Sequence, residues 1–454
     1  MYIKSIIAKI LLAIVVCSAT SCRKESPIIT DSADLNLTIG EEISILFYEV
    51  WHSVNQNYLF WDIDPTDWDN VYAVYKPQFD ELDDLYIETA NSMPEVVTSS
   101  NTTEWNNAND RLNELALQCG ELLSEMCSTI LDHHFNISTQ INDVSITVRP
   151  SETRKVEELG YMKVMEYFDL YNNSVLSAIS STTPGSDPDL TVQLDKKYTL
   201  MSEPSCYYTG DDFYIYSALY DDGVAYLRFS QFSIGTYMYS NEDSGVVSCT
   251  GDVLNNYYNL VAREGLEGLI IDLRSNTGGS LSDLSLLTRC LINESESIPF
   301  GYYRQKSGLG RLDYSPYIEM AIPASSTGVS RRDLPIAIIT DRYSISMAEI
   351  TPMALREFSD NVQIIGEQTY GATSPLTEHF ILGGGIHSDI TLRQASVAVV
   401  DLNKESHEGY GIEPDIYSEL LDVEDIVING ESYTRIKDAT DTPFYKAVEY
   451  IRSK

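Results

Sequence analysis

The 454-residue sequence predicts an α/β core that follows an N-terminal helical domain. From residue 223 onward, short apolar segments alternate with segments of helical spacing, which is the pattern of parallel strands joined by helices. Between residues 41 and 135, apolar residues recur at the three- and four-residue spacing of helices. A hydrophobic fraction of 43% over this length favours two or three domains over a single one.

The first 21 residues have the pattern of a secretory signal peptide, because two lysines precede a short apolar run at residues 10–16. That run is too short to span a bilayer comfortably. Ala19-Thr20-Ser21-Cys22 resembles a bacterial lipobox, in which the cysteine is lipidated after cleavage. We therefore expect a lipid-anchored protein of the bacterial cell envelope, with residues 22–40 as a tether. Ordinary cleavage that leaves Cys22 unmodified is the alternative.

The remaining chain divides into three predicted regions. A helical domain is expected over residues 41–138, and residues 139–215 form a mixed connecting region with both helical and strand patterns. The core is expected over residues 216–454. Its buried strands are predicted from four apolar segments, VAYLRFS, LEGLIIDLRS, LPIAIIT and VQIIG.

Composition disfavours several classes of partner. The formal net charge of −38 argues against binding of nucleic acid or of anionic membrane patches. No Cys-x-x-Cys pair and no cysteine–histidine cluster has zinc spacing, so we predict no structural metal. The sequence implies no cofactor and does not determine an oligomeric state.

Serine residues lie where one predicted strand turns into a helix, in TDRYSISMAEI (residues 340–350). A hydroxyl at such a turn lies at the edge of the sheet, beside helix N–H groups that favour a developing oxyanion. Ser346 and Glu349 also match the S-x-x-E pattern of a capping box, which requires no chemistry. This segment alone therefore leaves two roles open for Ser346, nucleophile and helix cap.

A second predicted strand ends in DLRSNTGG (residues 272–279) and strengthens the catalytic interpretation. Gly278 and Gly279 would let the backbone approach a ligand closely, and their N–H groups could act as oxyanion donors. A glycine-rich turn without function is the alternative. Because the carboxyl ends of parallel strands meet at one edge of a sheet, the two turns are expected to share a pocket.

Several motifs, in this order, resemble the tail-specific, or C-terminal processing, serine peptidases: GLIIDLRSNTGG, ITDRYSISMAEITPMAL, VQIIGEQTYGA and the closing segment EGYGIEPDI. The resemblance implies a crotonase-like (ClpP/crotonase) fold for the core. It assigns Ser346 as the nucleophile, with the Met347 N–H and a backbone N–H at Gly278–Gly279 forming the oxyanion hole. The Gly-Leu-Gly loop typical of the family's PDZ module is missing before the core, so the connecting region contains no clear PDZ domain.

The catalytic base departs from the lysine of many relatives, since no lysine lies between Lys306 and Lys404. A serine hydroxyl needs a base within hydrogen-bond reach. The tricorn-like branch of the family uses a histidine and a glutamate instead, and the matching positions here are His134 and Glu408. His133 replaces the family's glycine and is the next candidate for the base. His407, beside Glu408, is a weaker alternative.

We therefore expect an exported, lipid-anchored serine endopeptidase that cleaves peptides or the C-terminal tails of unfolded proteins. A catalytically inactive binding or scaffold lipoprotein with the same fold is the main alternative, motivated by the absent lysine and by His133. A glycan-handling lipoprotein would need paired carboxylates across a cleft, and among 68 acidic residues such pairs carry little information.

Overall fold

The structure is a computed structural model. It describes residues 42–94, 97–152, 201–208, 213–220, 223–239, 249–326, 329–376, 390–419, 422–428, 431–438 and 442–454. The predicted signal peptide, the tether with Cys22 and most of the predicted connecting region lie outside these ranges. Among the helices within them, none combines the length and apolar character needed to cross a bilayer.

Helices and strands are distributed over the described ranges, from the first to the last. The helices are α1 (Glu42–Asn57), α2 (Trp68–Ser92), α3 (Thr102–Cys127), α4 (Ile234–Tyr239), α5 (Cys249–Ala262), α6 (Asp283–Thr288), α7 (Met347–Phe358) and α8 (Thr442–Arg452). The strands are β1 (Asn136–Ile141), β2 (Val144–Val148), β3 (Met201–Tyr208), β4 (Tyr214–Tyr220), β5 (Val224–Phe229), β6 (Gly268–Asp272), β7 (Ile298–Arg304), β8 (Ile318–Ile322), β9 (Ile336–Thr340), β10 (Val362–Gly366), β11 (Ile390–Arg393), β12 (Ala398–Asp401), β13 (Ile416–Tyr417), β14 (Asp422–Ile428) and β15 (Glu431–Asp438).

Helices α1 to α3 form the N-terminal helical region. The Asp67 side chain caps α2 by accepting the Asn70 N–H, as residue types at that position favour. Trp51 and Trp68 each donate an indole N–H to the other's carbonyl oxygen at 2.9 Å, so two buried aromatic rings join α1 to α2 without leaving a donor unsatisfied.

A three-stranded antiparallel sheet of order β11-β1-β2 connects the helical region to the rest of the chain. Strand β1 pairs with β2 on one side and with β11, from much later in the chain, on the other. The apolar core of the helical region accordingly extends to Leu392, Ala395 and Ala398. The predicted boundary at residue 138 falls inside β1, because β1 belongs to this shared sheet.

A seven-stranded mixed sheet of order β13-β10-β9-β6-β5-β4-β3 forms the centre of the core. The strands from β5 to β13 in that order are parallel, as the alternation of strands and helices predicts, and β4 and β3 are antiparallel at one edge. The sheet therefore begins before residue 216, where the sequence placed the start of the core. An antiparallel strand needs no crossover helix, so the βα alternation did not indicate β3.

Helices cover both faces of this sheet. Along β5, Ala225 and Leu227 face a cluster that includes α5 and α7, while Val224 and Tyr226 face a second cluster with α8. Every residue of β5, β6 and β9 is buried, which explains their continuous apolar sequences. The carboxyl ends of β6, β9 and β10 open onto one edge of the sheet, where the predicted site residues lie.

Candidate active site

Ser346 occupies the turn between β9 and α7 in a conformation that is rare for a residue with a side chain. Its φ is 59° and its ψ is −112°, and it immediately precedes the first helical residue, Met347. A backbone of this kind costs about 1–3 kcal/mol and persists only where the surroundings impose it. Strained strand-to-helix turns of this type expose the nucleophile of α/β-hydrolases. The conformation thus places the Ser346 hydroxyl above the sheet edge.

Ser344, two residues earlier, has a structural role. Its hydroxyl donates to the Leu273 carbonyl at 2.8 Å, and its carbonyl accepts the Tyr370 N–H at 3.1 Å. Ser344 is fully buried, whereas Ser346 retains 8% exposure. Of the two serines in the turn, only Ser346 has a hydroxyl that is accessible to a substrate.

Asp341 joins the Ser346 turn to the glycine-rich turn after β6. Both of its carboxylate oxygens accept the Ser275 N–H at 3.0 Å, and the Ile345 N–H donates to the Asn276 carbonyl at 2.9 Å. Burial raises the pKa of Asp341 to about 6, although the hydrogen bond from the Ser275 N–H opposes the shift. The expectation that the two turns meet at one edge of the sheet agrees with this geometry.

The glycine-rich turn packs directly against Ser346. A Cβ atom on Gly278 would lie 2.6 Å from the Ser346 Cβ and 3.0 Å from the Met347 nitrogen, so only glycine fits there. The Gly278 N–H, however, donates to the Asn276 side-chain oxygen at 2.9 Å. The Gly278 hydrogen is thus used inside the turn, which leaves the Gly279 N–H as the candidate oxyanion donor from the predicted Gly278–Gly279 pair.

Two backbone N–H groups remain for an oxyanion, those of Met347 and Gly279. Neither has a hydrogen-bond acceptor among the described residues, and Met347 is the first residue of α7. Gly279 lies against the Phe232 carbonyl, and its φ of 138° is open to glycine alone. Of the three residues predicted for the oxyanion hole, Met347 and Gly279 have N–H groups without an acceptor among the described residues. Gly278 instead allows the glycine-rich turn to pack closely against Ser346.

Glu349 lies directly beneath the Ser346 turn. Its carboxylate accepts the Ser346 N–H at 2.9 Å, which is the glutamate half of the predicted capping box. The same carboxylate also accepts the Gly371 and Ala372 N–H groups, at 2.7 and 2.8 Å. The cap is therefore also a connection to the segment that follows β10.

We call residues 369–374 the strap. Its first part binds Glu349, and its last part binds Glu408, whose carboxylate accepts the Ser374 N–H at 2.8 Å and the Thr373 hydroxyl at 3.2 Å. This is the segment that matches the lysine-bearing turn of many relatives. It supplies donors here and carries no basic side chain.

His133 and His134 contact opposite ends of the strap. The His133 ring contacts the Tyr370 carbonyl at 2.9 Å through Nδ1. The backbone N–H of His133 donates to the Glu408 carboxylate at 3.1 Å. The His134 ring instead meets the Ser374 backbone, and burial lowers its pKa to about 4. Its Nδ1 atom is buried and has no hydrogen-bond partner among the described residues.

His134, Glu408 and Asp132 form one cluster, in which both carboxylates are buried and the histidine is half-buried. A ring nitrogen of His134 and one oxygen of each carboxylate lie within 4.8 Å of one another. The sequence did not single out Asp132, whose two oxygens accept the His134 and Ala395 N–H groups. Burial raises the pKa of Asp132 to about 6 and that of Glu408 well above its usual range. Because these oxygens already accept N–H groups, we assign no metal to the cluster.

His407, the weaker alternative base, and the other basic residues near the core have contacts elsewhere or lie outside the described residues. The His407 ring lies 3.7 Å from an Asp401 carboxylate oxygen. Lys306 donates to the carbonyls of Gly310 and Arg311, and the Lys404 ammonium lies over the Tyr302 ring. His379 and His387 fall in the undescribed range 377–389.

The arrangement has the parts needed for acyl transfer at one edge of a sheet. A strained serine with two unoccupied N–H donors beside it is linked through the strap to a histidine–carboxylate cluster. The His134 Nδ1 atom has no hydrogen bond to the Ser346 hydroxyl or to any other described group. Catalytic contacts are often long without substrate and shorten when it binds.

Comparisons with known proteins find similarity to peptidases in the part of the chain that contains Ser346 and Glu408. Peptidase family S41 matches residues 223–418, the range that contains Ser346, the strap and Glu408. The nisin-resistance protein of Lactococcus lactis is 27% identical over 179 residues, covering 38% of this chain and 54% of that protein. The carboxy-terminal processing protease CtpA of Bacillus subtilis is 24% identical over 233 residues, covering 50% and 43%. The chain thus spans about half the length of these curated relatives.

A solved structure extends the similarity of fold to nearly the whole chain. The crystal structure of a candidate peptidase from Parabacteroides merdae aligns with a TM-score of 0.54 at 18% identity. The alignment covers 90% of this chain and 96% of that one, so the mixed α/β fold with its helical region is shared. The match over residues 223–418 establishes that this part of the chain is a peptidase family S41 domain.

Proposed function

We propose that this protein is a serine endopeptidase that hydrolyses peptides or protein C-terminal tails through an acyl-enzyme on Ser346. The observation that carries the proposal is the packing of Gly278 against a strained Ser346, beside the Met347 and Gly279 N–H groups, which have no acceptor among the described residues. Membership of the domain in peptidase family S41 supports a hydrolytic role for this serine.

Each residue has a distinct role in the proposed reaction. His134 takes the proton of the Ser346 hydroxyl as it attacks the scissile carbonyl, and the Met347 and Gly279 N–H groups stabilise the oxyanion. His134 then protonates the leaving amine and later activates the water that hydrolyses the ester. Glu408, one oxygen of which lies within 4.8 Å of a His134 ring nitrogen, orients the ring. A lowered pKa keeps His134 neutral, and so competent as a base, at neutral pH.

We further infer that the core has the crotonase-like fold and that the mature protein is lipid-anchored in the bacterial cell envelope through Cys22. The parallel strand order with helices on both faces is compatible with the first inference, and the lipobox-like sequence supports the second. Retention of labelled palmitate by the wild-type protein and its loss in Cys22→Ala would test the anchor. An unlabelled wild-type protein would overturn it.

The activity is tested by labelling the purified full-length protein with a fluorophosphonate, which reacts with activated serines. We expect labelling of the wild type, its loss in Ser346→Ala and His134→Ala, and its retention in His133→Ala, because the His133 ring binds the Tyr370 carbonyl. Loss in His133→Ala together with retention in His134→Ala would reassign the base.

An inactive binding protein is the second candidate, favoured because the His134 Nδ1 atom has no hydrogen-bond partner among the described residues, the Ser346 hydroxyl included. A wild-type protein that is folded by circular dichroism and still unlabelled over a range of pH would support this alternative. It would also remove Ser346 from the role of nucleophile.

A further inference from the structure

We propose that Glu349 is a positioning residue for the serine chemistry, holding the Ser346 turn and the strap in one fixed arrangement. The inference rests on the proposed function of Ser346 and goes beyond it, since no role other than helix capping follows from the sequence for Glu349. The donors to the Glu349 carboxylate are backbone N–H groups and the Thr369 hydroxyl, and the Ser346 hydroxyl is not among them.

The number and origin of its donors carry the proposal. One carboxylate oxygen accepts the Thr369 hydroxyl at 2.6 Å and the Gly371 N–H at 2.7 Å. The other accepts the Ser346 N–H at 2.9 Å and the Ala372 N–H at 2.8 Å. Three of the four donors therefore come from the strap and only one from the helix that Glu349 would cap.

The surroundings of the carboxylate indicate that this arrangement is specific. Glu349 is fully buried and forms no ion pair with a cation among the described residues. A buried carboxylate without a counter-ion requires several well-aligned donors, and an ordinary capping box supplies far fewer from a second element. Four donors on two oxygens satisfy the group and leave it little freedom to move.

This bonding affects both halves of the site. The hydrogen bond to the Ser346 N–H restrains rotation about the N–Cα bond of Ser346. That rotation would move both the Ser346 side chain and the adjacent Met347 N–H. The strap continues from Ala372 directly to Thr373 and Ser374, which bind Glu408. Glu349 thus sets the distance between the nucleophile turn and the His134–Glu408 cluster. Misplacement of reacting groups by about 1 Å can lower rates on the order of 100-fold.

The test is Glu349→Gln in the full-length protein. Glutamine keeps the size of the side chain but directs an amide NH₂ at two of the four donors. We expect the second-order rate constant for fluorophosphonate labelling to fall at least about 30-fold. We also expect amide hydrogen exchange to accelerate in residues 344–349 and in the strap together, with the protein still folded at the assay temperature.

The matched control is Asp83→Asn, which removes another buried carboxylate that accepts a backbone N–H, from Ile43, in the helical region. We expect it to lower the melting temperature and to leave the labelling rate within about two-fold. If Glu349→Gln does not fold, Thr369→Val removes one of the four donors and should slow labelling about three- to ten-fold.

Three outcomes separate the claims. A folded Glu349→Gln protein that labels at the wild-type rate would overturn the positioning role and leave the proposed function intact. Faster exchange confined to the start of α7 would reduce Glu349 to a helix cap. An unlabelled wild type would refute the proposed function, and the exchange data would still decide whether Glu349 joins the turn to the strap.

Discussion

Glu349 and Glu408 bind opposite ends of one four-residue segment. Glu349 accepts the N–H groups of Gly371 and Ala372, and Glu408 accepts the Ser374 N–H and the Thr373 hydroxyl. Both carboxylates are fully buried, and the charge of Glu349 contributes to raising the pKa of Glu408. Two buried carboxylates that accept hydrogen bonds from backbone N–H groups therefore hold this segment in place.

Gly278 is predicted to be irreplaceable. In Gly278→Ala the new methyl group would lie 2.6 Å from the Ser346 Cβ, at a φ of +85° that L-residues rarely adopt. We expect fluorophosphonate labelling to fall at least about 100-fold, because the Ser346 turn must shift to relieve the clash. Labelling kinetics and the melting temperature measure the effect.

Gly265→Ala provides the control for backbone strain. Gly265 has a similar φ of +78°, but nothing lies within 4 Å of its missing Cβ. This variant should lose about 1–2 kcal/mol of stability and keep its labelling rate. Equal loss of labelling in both alanine variants would show that strain, and not contact with Ser346, explains the glycine.

Asp272→Asn should be strongly destabilising. Burial alone would raise the pKa of Asp272, but the guanidinium groups of Arg228 and Arg274 hold it well below its usual range. Removing the charge leaves two buried guanidinium groups without this partner and should cost about 3–5 kcal/mol in urea unfolding. Since the folded pKa is depressed, the difference from wild type should shrink as the pH falls below about 4.

The surface pair Lys76–Asp80 is the comparison for that variant. Both side chains are more than 40% exposed, so Asp80→Asn should cost less than about 1 kcal/mol. Similar losses in the two variants would contradict the importance assigned to burial.

Asp132 is predicted to make the folded state less stable as the pH rises. Burial raises its pKa from 3.8 to about 6, so between these values the folded protein binds more protons than the unfolded chain. Stability contributed by this proton is present below about pH 4 and is lost by about pH 6, on the order of 2–3 kcal/mol. Asp132→Asn should flatten the pH dependence of the unfolding free energy in this window. An unchanged slope would assign the protons to Asp341 and Glu408.

The pH profile of labelling should reflect the burial of His134. Since burial lowers the pKa of this ring to about 4, the ring stays neutral in weak acid. As the pH is lowered, we expect the labelling rate to fall with a midpoint near pH 4, where the ring becomes protonated. Circular dichroism would verify the fold at each pH. A midpoint near 6.5, the ordinary value for histidine, would indicate a solvated base.

The closeness of Ser346 and Gly278 was predictable because each belongs to a short motif at the end of a continuous apolar strand. Strands β5, β6, β9 and β10 were predictable for the same reason, since burial on both faces leaves an uninterrupted apolar sequence. The N-cap position of Ser346 followed from local spacing with Glu349.

The remaining features depend on contacts between distant segments. Asp132 accepts the Ala395 N–H, and Asp341 accepts the Ser275 N–H, through hydrogen bonds that no local pattern encodes. The use of the Gly278 N–H inside its own turn was also invisible, because glycine spacing indicates close approach and not which N–H remains unoccupied. The φ of Ser346 likewise arises from tertiary packing.

The pairing of β1 with β11 limits how the site can open. His134 lies two residues before β1, and four residue pairs connect that strand to β11 in the later part of the chain. A hinge motion that swung the helical region away would have to break this ladder and expose the apolar side chains beneath it. The two regions should therefore move as one body during turnover, and substrate entry should depend on local rearrangement of loops at the sheet edge.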